Sequence, residues 1–197
     1  MTLRLIAGLA ALALLIAGQA NAEGARSKGK VAAAASAESA TFATGCYLGA
    51  RAGHAAVDVG ALDANTATFG AALGCDYRIS GSQLMIGVVG DVMASSASFG
   101  GADIDYSWSG AARGGLLLSE SMYLYGLLGY TSMDGSLPAG ATLKGLTFGA
   151  GLEVMVTKHI SLQGEARRID LGNDTAGAGG ADATEIRLGL NWRFGAN

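Results

Sequence analysis

The stretch TEIRLGLNWRF, residues 184–194, alternates without a break. Ile186, Leu188, Leu190, Trp192 and Phe194 share one face, and Glu185, Arg187, Asn191 and Arg193 share the other. Side chains of an extended strand project to opposite faces with a period of two, so this segment is a strand lying between an apolar and a polar medium. A strand between a soluble core and water carries the same pattern, so the alternation alone leaves the medium open. The other end of the chain decides it.

Residues 1–22, MTLRLIAGLAALALLIAGQANA, place Arg4 before an apolar run and end on the small-x-small site Ala20-Asn21-Ala22. This is the pattern of a cleaved secretory signal, and the run is shorter than the roughly 20 residues of a spanning helix. No cysteine follows directly, which argues against a lipid anchor. Removing 22 residues from 197 leaves 175, with no later stretch long and apolar enough for a membrane helix despite a mean hydropathy of +0.35. The apolar content therefore sits in short segments. Glycine supplies 32 residues and proline one, a composition that disfavours helices and Pro-rich disorder and suits repeated strands with turns. With Arg4 gone, 12 Lys and Arg stand against 16 Asp and Glu, a net charge of −4 that points to neither nucleic acid nor an acidic substrate.

Residues 23–44, rich in Ala, Ser, Gly and Lys, have no apolar period and read as a flexible arm. Eight strand-like segments follow at about 45–58, 66–78, 83–94, 104–118, 121–132, 142–156, 159–170 and 183–194, most of them long enough to cross a bilayer as tilted strands. Their connections alternate between short (SGSQ, SES, TK) and long and polar (VGALDAN, SSASFGGAD, SMDGSLPAGA, GNDTAGAGGADA). Short turns at one end and long loops at the other describe an all-β, eight-stranded antiparallel up-and-down transmembrane barrel over 45–194, with 195–197 as a tail. An even strand number puts both chain ends on the periplasmic, short-turn side.

The faces agree with this reading. In the second segment Phe69, Ala71, Leu73, Cys75 and Tyr77 oppose Thr68, Gly70, Ala72, Gly74, Asp76 and Arg78; in the sixth Leu146, Phe148, Ala150, Leu152 and Val154 oppose Thr147, Gly149, Gly151 and Glu153. The seventh sets Ile160, Leu162, Gly164 and Ala166 against Ser161, Gln163, Glu165 and Arg167. The fifth, MYLYGLLGY, is apolar on both faces, which leaves its orientation open. Aromatic residues collect near segment ends, Tyr106, Trp108 and Tyr130 toward the loops and Tyr47, Tyr77, Tyr123, Trp192 and Phe194 toward the turns, where two interfacial girdles are expected.

Six motifs in order, CYLGARAGH (46–54), IGVVGDV (86–92), WSGAARGGLL (108–117), LTFGAGLEV (146–154), LQGEARRIDLG (162–172) and IRLGLNWRF (186–194), resemble the small outer-membrane β-barrels of the OmpA-like superfamily, especially the outer-membrane immunogenic, porin-like proteins of alpha-proteobacterial type. The resemblance spans about residues 45–194 and implies an integral outer-membrane protein inserted by periplasmic chaperones and the barrel-assembly machinery, with Trp192 and Phe194 as the terminal assembly signal. The chain departs from the pattern at Val89 and Gly115, at Arg168, where an outward aromatic is expected, and in the three residues beyond Phe194.

Counted up from the short-turn end, Arg51, Arg113, Glu165 and Arg187 lie about five to seven residues along their strands on the inward face, which predicts one shared layer. Asp91, Glu153, Arg167 and Glu185 are near enough to join them in a structural charge network filling the lumen. An eight-stranded barrel has room inside only for side chains, so a broad pore is excluded and a narrow ion path is the functional alternative. Cys46 and Cys75 fall opposite each other on the outward face of the first hairpin, either as a disulfide in the oxidising periplasm or as two small unpaired hydrophobes.

No catalytic, metal or cofactor-binding residue is expected, and no cofactor. The triplet His159–Ser161 superficially matches the His-x-Ser of lipid A deacylases, but it begins at a turn, lacks the following Asn and turns Ser161 inward; His54 stands alone. The expected function is structural and non-enzymatic: supporting envelope integrity and presenting surface loops. The alternatives are a porin-like ion channel, a loop-mediated adhesin, or, last, a lipid-modifying enzyme. Expected partners are outer-membrane lipid and lipopolysaccharide, the assembly machinery with its chaperones, and host or phage surfaces through the loops. No peptidoglycan-binding domain is expected, which leaves cell-wall anchoring to another protein or to the arm around Arg26, Lys28 and Lys30.

Overall fold

The computed structural model describes residues 40–59, 62–99, 102–135, 143–171 and 181–195. The leader, residues 23–39 of the arm, residues 60–61 and 100–101 of the first two long loops, residues 136–142 and 172–180 of the two longest loops, and residues 196–197 lie outside them. Eight strands run in order: β1 Gly45–Val59, β2 Leu62–Arg78, β3 Leu84–Phe99, β4 Ala102–Ser119, β5 Met122–Gly135, β6 Leu143–Met155, β7 Ile160–Asp170 and β8 Ala181–Phe194. Each pairs antiparallel with the next, and β8 pairs with β1 to close the barrel. Closure leaves no sheet edge, which hydrocarbon requires because it cannot hydrogen-bond a free backbone group.

The registers set the geometry. From Cys75 in β2 the row of paired residues runs through Val88, Ala112, Leu128, Phe148, Arg168, Thr184 and Ala56 and returns to β2 at Asn65, ten residues from its start. Ten residues of stagger over eight strands tilt the strands by about 40° at 3.3 Å per residue and 4.8 Å between strands. Residues in one hydrogen-bonded row therefore climb steadily around the wall.

The distribution of side chains is inverted relative to a protein in water. Among the described residues twenty-five large apolar side chains are exposed, while ten arginines, aspartates and glutamates are buried. Soluble chains almost never bury unsolvated charge while exposing so broad an apolar surface. Leu48, Phe69, Leu73, Phe148, Leu162 and Leu188 face out, and Tyr77, Tyr106, Trp108, Tyr130, Trp192 and Phe194 stand exposed toward the two ends.

Four expectations change. Tyr47 and Tyr123 are fully buried in the lumen, not in an interfacial girdle, because the bore at the turn end needs bulk and its arginines need aromatic faces. The first two long loops give way to strand: β1 reaches Val59 and β2 begins at Leu62, and β3 reaches Phe99 with β4 beginning at Ala102. The second extension absorbs register shifts between Ala94 and Ala97 and between Ile104 and Tyr106. Finally, residues 40–44 of the expected arm are ordered against the barrel, with Phe42 fully buried. The fifth strand, unoriented by its pattern, turns Tyr123, Tyr125 and Leu127 inward and Leu124 and Leu128 outward.

Local chemistry closes the turn end. Between β2 and β3, Gly81 takes φ +74°, and Ser82 donates through both its backbone N and its Oγ to the Ile79 carbonyl. Between β6 and β7, Thr157 Oγ1 accepts from the backbone N of Ile160 at 3.0 Å. Cys46 and Cys75, paired across β1 and β2, form a disulfide.

Candidate functional site

The lumen holds two ionic clusters joined by a neutral layer. Near the turn end, Arg113 on β4 donates through Nε to Asp76 Oδ1 at 2.7 Å and through Nη2 to Asp76 Oδ2, while its Nη1 reaches Glu153 Oε2 at 3.2 Å. Arg193 on β8 repeats the arrangement, with Nη2 to Asp76 Oδ2 at 2.6 Å and Nη1 to Glu153 Oε1 at 3.0 Å. Two cations and two anions thus form a closed ring. Glu153 also accepts from Ser161 Oγ at 2.5 Å and Asn191 Nδ2 at 2.8 Å. The Arg113 guanidinium lies 4.7 Å from the Tyr47 ring centre and 5.0 Å from that of Tyr125, within cation–π range. Both tyrosines lie over glycines of the paired strand, Gly74 and Gly151, where a Cβ would collide with the phenol.

Toward the loop end, Asp91 is shared by Arg187 Nη1 at 2.8 Å and Arg167 Nη1 at 3.0 Å. Arg187 also pairs with Glu185 at 2.5 Å, and Arg167 with Glu165. Thr68 Oγ1 donates to Glu185 at 2.8 Å and Arg167 Nη1 to Ser109 Oγ at 2.9 Å. Between the clusters, Asn191 donates to Gln163 at 3.1 Å, Gln163 to Tyr125 Oη, and Tyr125 to Glu165 Oε2 at 2.7 Å.

All eight charges expected in the lumen are buried there, but not in one layer. Arg113 and Glu153 belong to the turn-end ring; Asp91, Glu165, Arg167, Glu185 and Arg187 belong to the upper cluster. Arg51 bonds Asn191 Oδ1 at 2.6 Å and, among the described residues, meets no carboxylate. Of the four expected to share a layer, Glu165 and Arg187 fall in one cluster, while Arg113 reaches Asp76 and Glu153 and Arg51 reaches Asn191, because equal counts along staggered strands do not fix which partners a long side chain meets across the bore. Asp76 and Arg193, missed as members, complete the ring; their inward parity was legible, but their partners lie across the bore on strands far apart in sequence. Five arginines and five carboxylates balance, so the filled bore carries no net fixed charge among the described residues.

Ser161 is committed to Glu153, and His159 sits in the turn with Nδ1 3.3 Å from the Arg193 carbonyl. Arg168 points outward and pairs with Asp182 at 2.7 Å. No group of three or more His, Cys, Asp or Glu among the described residues is arranged to hold a metal ion.

The outer membrane protein beta-barrel domain model matches residues 7–194. A 22 kDa outer membrane protein of Rhizobium leguminosarum bv. viciae is 30% identical over 164 residues, covering 76% of this chain and 77% of the relative. Neisserial surface protein A superposes with a TM-score of 0.56 at 21% identity, covering 76% of this chain and 97% of that one. Ail, the attachment invasion locus protein of Yersinia pestis, also gives 0.56, at 18% identity and with 78% and 100% covered. The two solved barrels share the fold, and the domain match runs through all eight strands: the chain belongs to the outer membrane protein beta-barrel domain family and is a barrel protein of the bacterial outer membrane.

Proposed function

We propose that the protein is a structural, non-enzymatic barrel whose lumen is a permanent ionic core and whose loop end meets the exterior. The observation that carries this reading is the bore itself, filled from Asp76 to Thr68 by bonded side chains with no net charge to select an ion. In this reading the turn end, with both chain ends, faces the periplasm. The eight charges Arg51, Asp91, Arg113, Glu153, Glu165, Arg167, Glu185 and Arg187 act as internal cement, and outward Trp192 and Phe194 are read by the assembly machinery. Residues 1–22 leave as a signal peptide. Host or phage contact would fall to the loops.

The second reading, a narrow ion path, draws on buried polar atoms without a protein partner, among them Tyr47 Oη, Thr131 Oγ1 and Thr147 Oγ1. Planar-bilayer recording separates the two. Silence in both wild type and Glu165→Ala is the expected outcome; unitary currents in wild type that change in the variant would replace the structural role with transport.

A further inference from the structure

Residues 40–44 do more at the turn end than lead into β1. The backbone N of Phe42 donates to the Glu120 carbonyl at 2.7 Å, in the β4–β5 turn. Its own carbonyl accepts from Arg78 Nη1 at 3.1 Å, at the end of β2, and Thr44 Oγ1 accepts from the Arg78 backbone N at 3.0 Å. Arg78 is held in place by Glu120 through two bonds, at 2.7 and 3.0 Å. The segment is thus tied to β2 and to the β4–β5 turn, elements separated by β3 in the wall.

What these ties position is the Phe42 ring. It packs 5.8 Å from Tyr123, and the Arg193 guanidinium lies 5.0 Å from its centre. Arg193 is the outermost cation of the ring with Asp76 and Glu153, so Phe42 covers the ionic cluster on the side where the bore would meet water. An ionic ring is worth most where water is kept out, and an aromatic face does that while still attracting the cation beneath it. The clamp that holds the ring differs in kind: Arg78 and Glu120 are partly and largely exposed, and an exposed ion pair is weak and screened by salt.

We infer that residues 40–44 form a releasable strap that seals the turn-end mouth of the barrel, with Phe42 as stopper over Arg193 and the Arg78–Glu120 pair as its latch. A strong stopper on a weak latch makes a device that opens without unfolding the barrel: any pull on the chain preceding residue 40 exposes the ionic ring only by withdrawing Phe42. The inference is independent of whether the barrel conducts.

The test uses the full mature chain refolded in detergent micelles and digested briefly with chymotrypsin, with intact mass reporting chains that begin at Ala43. Wild type should resist cleavage after Phe42. Glu120→Ala and Arg78→Ala, which keep Phe42 but break the latch, should be cut there about two- to fivefold faster while the bond after Tyr123 stays intact. In parallel, Phe42→Ala should raise phenylglyoxal labelling of Arg193 severalfold and leave that of Arg187, deep in the bore, unchanged. Phe42→Leu, which keeps apolar bulk but removes the ring, keeps this ratio decisive if the alanine variant loses the barrel. Cleavage after Phe42 in wild type at the latch variants' rate, or Arg193 labelling indifferent to residue 42, would overturn the strap.

Discussion

At the turn end of the bore Arg113 and Arg193 each face both Asp76 and Glu153, whereas toward the loop end Arg167 and Arg187 serve three carboxylates, Asp91, Glu165 and Glu185. The first is a balanced ring under an aromatic cover. The second has one anion in excess, and hydroxyl and amide donors from Thr68, Tyr125 and Gln163 carry part of the load. Arg51 supplies the compensating cation without touching a carboxylate among the described residues. Charge balance is therefore local at one end and distributed at the other, so removing one anion should have unequal consequences.

The largest effect is expected at Glu153, which accepts from Arg113, Arg193, Ser161 and Asn191. Glu153→Ala leaves two buried arginines on Asp76 and should cost about 3–5 kcal/mol, read by urea unfolding in phospholipid vesicles. A loss below about 1 kcal/mol would mean that water already reaches the ring, and the contrast would fail. Next comes the disulfide that staples the same end: opening the link between Cys46 and Cys75, 29 residues apart, should cost about 2–4 kcal/mol. Hydrogen exchange after reduction should rise around Gly74 before it rises around Thr68; the reverse order would place the weak point at the loop end. Glu165→Gln should matter less, about 1 kcal/mol, because the amide oxygen still accepts from Tyr125 while the excess negative charge is relieved. A cost equal to that of Glu153→Ala would erase the distinction between the halves.

The smallest effect concerns the latch. The hydrogen bond from Arg78 holds the Glu120 carboxyl below its ordinary value of 4.5, so its contribution is complete above that value and is lost as pH falls through the lowered one. Protection of Phe42 from a protease active in acid should be constant from neutrality to about pH 5 and weaken below the usual carboxylate range. Protection that instead declines between pH 8 and 6 would point to a different latch.

Much of the barrel was legible in the chain because two-residue alternation is a local signal. It oriented β2, β6, β7 and β8 and placed strand ends within a few residues, except at the β1–β2 and β3–β4 connections, where polar, Gly-containing runs read as loops continue as strand. Tyr47 shows the limit of reading by residue type. Its parity with Arg51 puts both on the inward face, yet an aromatic near a strand end also suits a bilayer interface, and only burial decides between them. Tyr123 and Tyr125 could not be oriented at all, since Leu124 and Leu128 on the opposite face are equally apolar. Phe42 gave no signal, lying in an Ala- and Ser-rich run without periodicity.

Which side chains share a face follows from the sequence alone, because it depends only on parity along the strand, and where one of the two faces is charged the sequence also says which of them faces the lumen. Which cation meets which anion does not. That depends on a stagger of ten residues accumulated over eight registers. It arises only when the sheet closes on itself, so the partners of Arg113 and Arg193 were decided by the tertiary structure.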